Sequence, residues 1–226
     1  GEILKENIQS SEGLNPMLEG KKIIAIFGFC YIRHFAEINE VLQEKTMIFV
    51  NRISEIVHSA VDKFGGITNK NLGDCFLLVW KFKEEKLDKM YSNDALLAAL
   101  NPSSNTLLIG NNRNMKQTSI EEEERSCFLS DCALLAFLSV IKKINKSRTI
   151  LEYSNNKALK ERLGENFRVQ MGFGLHMGWG IEGAIGSFYK IDCSYLSPNV
   201  NIAARLETAT NIYGVDILFS GEFYDT

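Results

Sequence analysis

The sequence predicts one domain of the α/β (α+β) class, because apolar strand patterns and helical patterns alternate along the chain. Residues 23–27 form a continuous apolar, β-branched run, which is typical of a buried central strand. From about residue 37 to residue 64, apolar side chains recur at spacings of three and four. This stripe predicts a long helix and comprises Val50, Ile53, Val57, Val61 and Phe64. Strand and helix are expected to form the centre of one core.

The remaining elements are predicted from apolar spacing and turn residues. Short strands at 67–70 and 75–82 flank Leu72-Gly73-Asp74, which predicts a hairpin whose turn carries an acid. A helix is predicted at 131–144, and its apolar face is expected to comprise Leu134, Leu135, Leu138 and Ile141. The later elements are a weaker helix at 156–163, strands at 167–178 and 181–191 paired through a glycine-rich turn, a helix at 199–209 and a strand at 215–219.

Two segments lack these patterns. Residues 1–20 are polar and mixed, and we expect a linker or arm there. From residue 83 to about residue 125 the periodicity is lost, and this composition favours a flexible insertion, placed at 100–125. The folded domain is therefore predicted to extend over 21–226 around that insertion. The chain begins with Gly1 and not with Met, so we interpret it as a piece of a longer protein.

Composition excludes several classes of protein. Of the 226 residues, 45% are hydrophobic and 23% are charged, which is typical of a soluble globular domain. The net charge of −3 and the pI near 5.7 leave no basic excess, so no nucleic-acid partner is expected. No apolar run approaches the roughly 20 residues of a membrane span. The 5 cysteines are scattered without Cys-x-x-Cys spacing, so we expect a cytoplasmic location, either free or as the cytosolic part of a larger membrane protein.

Four polar side chains stand where a ligand site could form. Asp74, on a tight turn between apolar strands, is placed to bind a hard cation, although a structural turn is the more common explanation of a Gly-Asp pair taken alone. Asn201 and Arg205 lie one helical turn apart on one face, where an amide and a guanidinium suit a ribose and phosphates. His176 lies mid-strand among apolar residues, so a hydrogen-bonded core histidine is favoured over a general base.

Taken together, several blocks resemble the catalytic domain of class III nucleotidyl cyclases from about residue 20 to the end of the chain. The resemblance depends on their order: an apolar strand, a long helix, Lys-x-x-Gly-Asp, Gly-x-His-x-Gly, Gly-Ala-Ile-Gly and Val-Asn-x-Ala-Ala-Arg. The four sequence blocks lie within residues 69–74, 172–178, 183–186 and 199–205. Two further stretches, residues 26–30 and 190–198, are similar in particular to the cyclase domains of large protist adenylate/guanylate cyclases.

The resemblance implies a ferredoxin-like core that works as a head-to-tail dimer, formed either with a second copy or with another cyclase domain. Each active site would lie at the interface, where one protomer contributes two aspartates that bind two Mg²⁺ or Mn²⁺ ions. The 3′-hydroxyl of ATP would attack the α-phosphate, which yields 3′,5′-cyclic AMP and pyrophosphate. Residue by residue, Asp74 matches the second metal aspartate, Asn201 the residue that orients the ribose, and Arg205 the residue that neutralises the α-phosphate.

Lys70 matches a purine-reading position. Its ammonium group can only donate, so it fits N1 of adenine, which accepts, and is repelled by the N1–H of guanine. The second purine-reading position is open between two residues. The spacing to Asn201 indicates Ser194, and Asp192 replaces it if the intervening loop is longer. Either side chain can accept from the adenine amine, so the sequence favours ATP over GTP.

One expected residue is missing. Where the family has its first metal-binding aspartate, this chain has Tyr31, and an alternative alignment places Ala25 there. A neutral phenol is a poor ligand for Mg²⁺, which prefers anionic oxygens in octahedral geometry. Losing the carboxylate is expected to cost on the order of several kcal/mol of activation barrier. Another acid, such as Glu37 or Glu40, would have to replace it.

These observations predict a class III cyclase domain of the adenylyl type that is degenerate at its first metal position and needs a partner domain for activity. The alternative is a catalytically inactive pseudo-cyclase that binds nucleotide or regulates a partner cyclase. A third interpretation is an α/β phosphate-binding domain with an unrelated role. The intact Lys70, Asn201 and Arg205 favour the first of the three.

Overall fold

The computed structural model describes Asn15 and residues 17–82, 112–187 and 189–226, with the backbone alone over 112–125. Most of the predicted arm at 1–20, and residues 100–111 of the predicted insertion, lie outside the described residues. In the described part of the chain, no helix has the length and apolar character needed to cross a membrane.

Six strands in the described chain form one sheet: β1 (Lys21–Ile32), β2 (Ile67–Asn71), β3 (Cys75–Lys81), β4 (Met171–Ser187), β5 (Lys190–Leu196) and β6 (Ile217–Phe219). The strand order is β2-β3-β1-β4-β5, all antiparallel, and β6 pairs with β4 in parallel. The helices are α1 (Phe35–Leu42), α2 (Thr46–Lys63), α3 (Asn112–Lys146), α4 (Arg148–Ser154), α5 (Lys157–Leu163), α6 (Pro198–Tyr213) and α7 (Gly221–Tyr224). This order of strands and helices is the ferredoxin-like arrangement, so the predicted α/β (α+β) class is confirmed.

The two faces of the sheet are buried against different helices. Alternate residues of β1 and β3, such as Cys30 and Leu78, pack into the larger core with α2 and α3. The intervening residues lie under α6 and form a smaller core, and we call this side the α6 face. Its buried residues are Ile23, Ala25, Phe27, Leu77, Val79 and Tyr195, with Val200 and Ala203 of α6.

Two of the predicted helices differ from the observed ones. The predicted helix at 37–64 is broken into α1 and α2 by a 3₁₀ turn at Gln43–Lys45, where Gln43 has a φ of 48°. The helix predicted at 131–144 begins much earlier, at Asn112. Its predicted apolar face is correct only in part: Leu134 and Ile141 pack against the larger core, whereas Leu135 and Leu138 are 47% and 48% exposed. The buried face instead comprises Ala133, Ala136, Phe137, Val140 and Ile144.

The glycine-rich region is one strand and not two. The predicted turn between 178 and 181 does not exist, because β4 runs unbroken through it and pairs with β1 from Met171 to Glu182. The chain turns only after Ser187, and Lys190 begins β5. At Gly174 the glycine instead allows close packing of α6. A Cβ atom there would collide with the carbonyl of Ala203, so α6 can approach the sheet closely at this position only over a glycine.

Candidate functional site

An open groove of about 590 Å³ lies between β2 and β5, the two outer strands of the sheet. Lys70 and Asp192 line it from opposite sides. The side-chain amide of Asn69 donates to the carbonyl of Cys193 at 3.1 Å, which ties the two strands together across the groove. The sheet therefore curls far enough for a residue of β2 and a residue of β5 to face one ligand.

The positions of the three predicted base-reading residues differ. Lys70 lies opposite Leu77, just after a register shift in β2, and is half-buried in the groove wall on the α6 face. Asp192 is exposed and lies 3.5 Å from the ammonium group of Lys190. Ser194 is only 6% exposed and does not line the groove. Of the two alternatives for the second position, Asp192 is thus the residue that shares the groove with Lys70.

The groove also contains an ion pair that sequence reasoning missed. The Lys81 ammonium lies 2.6 Å from Oε1 of Glu182, and the Tyr195 hydroxyl donates to the same oxygen at 2.8 Å. Glu182 is 8% exposed and Tyr195 is 4% exposed. The sequence offered one signal for this pair, a single acid inside a glycine-rich, apolar strand. Because an acidic side chain is seldom buried without a partner, such an acid indicates a buried ion pair.

The hairpin between β2 and β3 positions Asp74 as predicted. The side chain of Asn71 accepts from the backbone N–H of Gly73 at 3.0 Å, and Gly73 has a φ of 93°, which favours glycine. The carbonyl of Asp74 then accepts from the N–H of Ile32 at 2.9 Å, which fixes the turn against β1. Its neighbour Cys75 pairs directly with Tyr31 in the sheet. We call Tyr31, Asp74 and Cys75 the hairpin edge.

The chemistry of the hairpin edge does not fit a metal site held by this chain alone. Burial, then the charge of Asp74 and a hydrogen bond to its carboxylate, raise the pKa of Tyr31, so the phenol is neutral at pH 7. Burial and the charge of Asp74 also raise the pKa of Cys75 to about 12, so no thiolate forms. Within the described residues, no group of three or more His, Cys, Asp and Glu side chains could hold a metal ion.

The alternatives for the missing acid can be located as well. Ala25 is completely buried under α6 and pairs with Lys81, at the other end of β3 from the hairpin. Tyr31, not Ala25, therefore lies beside Asp74. Glu40, one of the candidate replacements, accepts from Arg162 at 3.0 Å.

A buried acid that the sequence did not reveal lies near the hairpin edge. Glu207 of α6 is 7% exposed and packs over Gly172, which pairs with Tyr31. Its Oε1 atom has no hydrogen-bond partner among the described residues. Burial raises the pKa of Glu207, and the nearby charge of Arg33 only partly opposes this effect. Arg33 itself donates to the carbonyl of Val215 at 2.6 Å.

Helix α6 presents Asn201 and Arg205 on its outer side. The hydroxyl of Ser197 caps the helix by accepting from the N–H of Val200 at 3.2 Å, and a proline follows in the first turn. Asn201 and Arg205 are both exposed, one turn apart. Neither side chain is held by a hydrogen bond or ion pair to another described residue, so both are available to a ligand.

His176 is a core histidine, as predicted. It is 2% exposed, and its Nε2 lies 3.0 Å from Oδ1 of Asn199. Because the amide of Asn199 donates to the carbonyl of Trp179 at 2.9 Å, its Oδ1 accepts, and Nε2 carries the proton. Nδ1 lies 2.7 Å from the hydroxyl of Ser220. With both nitrogens engaged, His176 holds the start of α6 against the sheet.

The predicted site residues therefore lie in three places. Lys70 and Asp192 line the groove, Asp74 and Tyr31 form part of the hairpin edge, and the α6 pair points to solvent. Asp74, Asn201 and Arg205 do not line the groove. Among the described residues of one copy, the groove therefore does not unite all of them.

The chain matches no model of a known protein family. It is 22% identical over 193 residues, 85% of its length, to an adenylate cyclase of Anabaena cylindrica, of which it spans 28%. Among solved structures, it aligns with the adenylyl cyclase CyaB from P. aeruginosa with a TM-score of 0.61 and 19% identity, covering 92% of this chain and 81% of that one.

A second solved structure has guanylyl specificity in its name. The guanylate cyclase domain of RhGC from Catenaria anguillulae, in complex with GTP, aligns with a TM-score of 0.55 and 15% identity, covering 90% of this chain and 82% of that one. At these identities the likeness establishes the fold, and it does not distinguish adenylyl from guanylyl chemistry.

Proposed function

Because this chain has the fold of the class III nucleotidyl cyclase catalytic domains, we propose that it serves as the nucleotide-reading half of an adenylyl cyclase. The observation that carries the proposal is the contrast between a neutral Tyr31 beside Asp74 and the unengaged Asn201 and Arg205. The chain retains groups that bind a nucleoside triphosphate but lacks one of the two acids that the reaction needs. It would therefore complete a site whose carboxylates come from a different, intact cyclase domain.

In this role the residues of the chain bind and orient ATP. Lys70 donates to N1 of adenine from the groove wall. Asn201 holds the ribose so that its 3′-hydroxyl faces the α-phosphate, and Arg205 neutralises the charge that develops there as pyrophosphate leaves. Cyclic AMP and pyrophosphate are the products. Since Asn201 and Arg205 are exposed and do not line the groove, the partner domain would close the site over them.

Mg²⁺ or Mn²⁺ would bind to the carboxylates of the partner domain, and when bound it would supply charge neutralisation at the phosphates. The residues at the hairpin edge of this chain offer a single carboxyl group beside a neutral phenol, which does not match that requirement. A self-dimer would therefore contain two deficient sites, whereas a heterodimer would contain one complete site.

The Tyr31–Asp74 contact also supports a second candidate function, an inactive pseudo-cyclase that binds nucleotide or regulates a partner cyclase. The two functions differ in whether Arg205 takes part in turnover. The third interpretation, an unrelated phosphate-binding domain, presupposed a different core, and the observed fold removes that premise.

A complementation assay tests the proposal. An intact adenylyl cyclase domain is inactivated at its own ribose-orienting asparagine and phosphate-binding arginine, so that only its metal carboxylates remain. We expect this domain and the present chain to be inactive separately in Mg²⁺ and to make cyclic AMP when mixed. Arg205→Ala should abolish the activity of the mixture, whereas Arg162→Ala, at an exposed arginine paired with Glu40, should not. Activity of the mixture that survives Arg205→Ala would favour the regulatory function instead.

A further inference from the structure

The ion pair on the groove floor has no role in the function proposed so far. We propose that Glu182 is the residue that recognises the exocyclic amine of the base, and that it determines specificity for a 6-aminopurine. This inference rests on the proposed function, since it assumes that the groove takes the base of a nucleoside triphosphate. It assigns a reader other than Asp192 and Ser194.

The register of the sheet places Glu182 on the same face as Lys70. Lys70 lies opposite Leu77, and Glu182 lies opposite Tyr195. Leu77 and Tyr195 both belong to the core under α6, so the side chains of Lys70 and Glu182 leave the sheet on the α6 face. Both residues line the groove. A donor and an acceptor therefore approach one ligand from β2 and β4.

Strand alternation directs the two other candidates away from that face. In β5, Tyr195 and Cys193 point to one side, so Asp192 and Ser194 point to the other. Ser194 is buried and absent from the groove wall, and Asp192 is exposed near Lys190. Glu182 is thus the carboxylate that shares both the groove and the face of Lys70.

The surroundings of Glu182 fix one of its oxygens and leave the other for a ligand. Lys81 and Tyr195 both bind Oε1, at 2.6 and 2.8 Å. No described residue hydrogen-bonds to Oε2. Because Lys81 neutralises the carboxylate and Tyr195 fixes its orientation, the group is held ready without a bound nucleotide.

This arrangement complements adenine and opposes guanine. Position 6 of adenine carries an amine, which donates to Glu182 while N1 accepts from Lys70. Guanine reverses both groups, since O6 would face the carboxylate and N1–H would face the ammonium. Such reversed pairs are rejected because each leaves a desolvated polar group without a partner.

The test compares two nucleotides that differ only at position 6. Binding of 3′-deoxy-ATP and of its analogue with hydrogen in place of the 6-amine is measured by isothermal titration calorimetry. The 3′-deoxyribose prevents turnover. We expect the wild-type chain to prefer the amine by roughly tenfold or more, as for a hydrogen bond to a charged group. Glu182→Leu should remove most of this preference, because no side-chain oxygen is left to accept from the amine.

Tyr195→Phe is the matched control, because it weakens the brace around Oε1 but leaves the carboxylate in place. A purely structural Glu182 would change the affinity for both nucleotides equally, so a preference that persists in Glu182→Leu would overturn the assignment. If only Asp192→Asn lost the preference, Asp192 and not Glu182 would be the residue that recognises the amine. If the wild-type chain bound none of the three nucleotides, namely 3′-deoxy-ATP, its analogue and GTP, the proposed function would be refuted together with this inference.

Discussion

The groove and the hairpin edge differ in how their ionisable groups are satisfied. In the groove, Glu182 is matched by Lys81 and Tyr195, and Lys70 lies in the wall beside them. At the hairpin edge, Asp74 faces a phenol and a thiol whose pKa values its charge helps to raise. Under the proposed function, the groove would keep base recognition ordered although the hairpin edge lacks a complete metal site.

Tyr31→Asp should produce the largest effect, because it returns a second carboxylate to the hairpin edge. We expect cyclase activity of the chain alone to rise by about 10²-fold or more in Mg²⁺ or Mn²⁺, on the scale of a preorganised electrostatic group. Tyr31→Phe is the control, since it removes the hydroxyl without adding an acid, and it should leave activity near background. Equal gains from both variants, or robust turnover by the wild-type chain, would show that the phenol is not the cause of the defect.

Lys70→Glu, a substitution in the wall of the groove, should have the next largest effect. Reversing the charge beside N1 should erode or invert the preference for ATP over GTP analogues, by about 10-fold to 100-fold in relative affinity. Competition between fluorescent ATP and GTP analogues measures this ratio. Lys160→Glu, at a lysine of α5 that pairs with Glu165 outside the groove, is the charge-matched control. Equal binding of both analogues by the wild-type chain would contradict the assignment of Lys70.

Glu207→Gln should have the smallest effect, and it concerns stability. The raised pKa of Glu207 means that the folded state favours the protonated acid. Below the unfolded pKa, near 4, both states are protonated and the burial costs nothing extra, whereas stability is lost as the pH rises through the folded pKa. At pH 7 we expect the variant to be more stable by about 1 kcal/mol, or about 2–4 °C in Tm. Thermal unfolding at pH 4 and pH 7 should show the gain only at pH 7.

Where sequence and structure agree, a local pattern was sufficient. The hairpin around Asp74 and the start of α6 depend on residues close in the chain, so their positions were predictable. The fold class followed from the same alternation of strands and helices. The neighbourhood of Tyr31 and Asp74 was expected only from the family resemblance, and the sheet register decides between Tyr31 and the alternative Ala25.

Where the prediction from sequence and the structure disagree, contacts between residues distant in the chain determine the structure. Leucine spacing in α3 indicated a face that is only partly buried, because Phe137, and not Leu135 or Leu138, fills the space beside Trp80 and Phe173. The glycines of β4 resembled a turn, but Gly172, Gly174 and Gly178 instead allow the close approach of α6, which no local signal reveals. The ion pair of Lys81 and Glu182 joins residues 101 positions apart, so it can be identified only when the register of the sheet is known.

The unbroken β4 also limits how this sequence can evolve. Gly174, under α6, and Glu182, in the groove, lie eight residues apart on one extended strand, or about 26 Å. Deleting or inserting a single residue between them would rotate every later side chain to the opposite face and take Glu182 out of the groove. Relatives that share this mode of base recognition should therefore vary in side chains along β4 but keep its length constant. A length change there would mark a lineage that reads its nucleotide in another way.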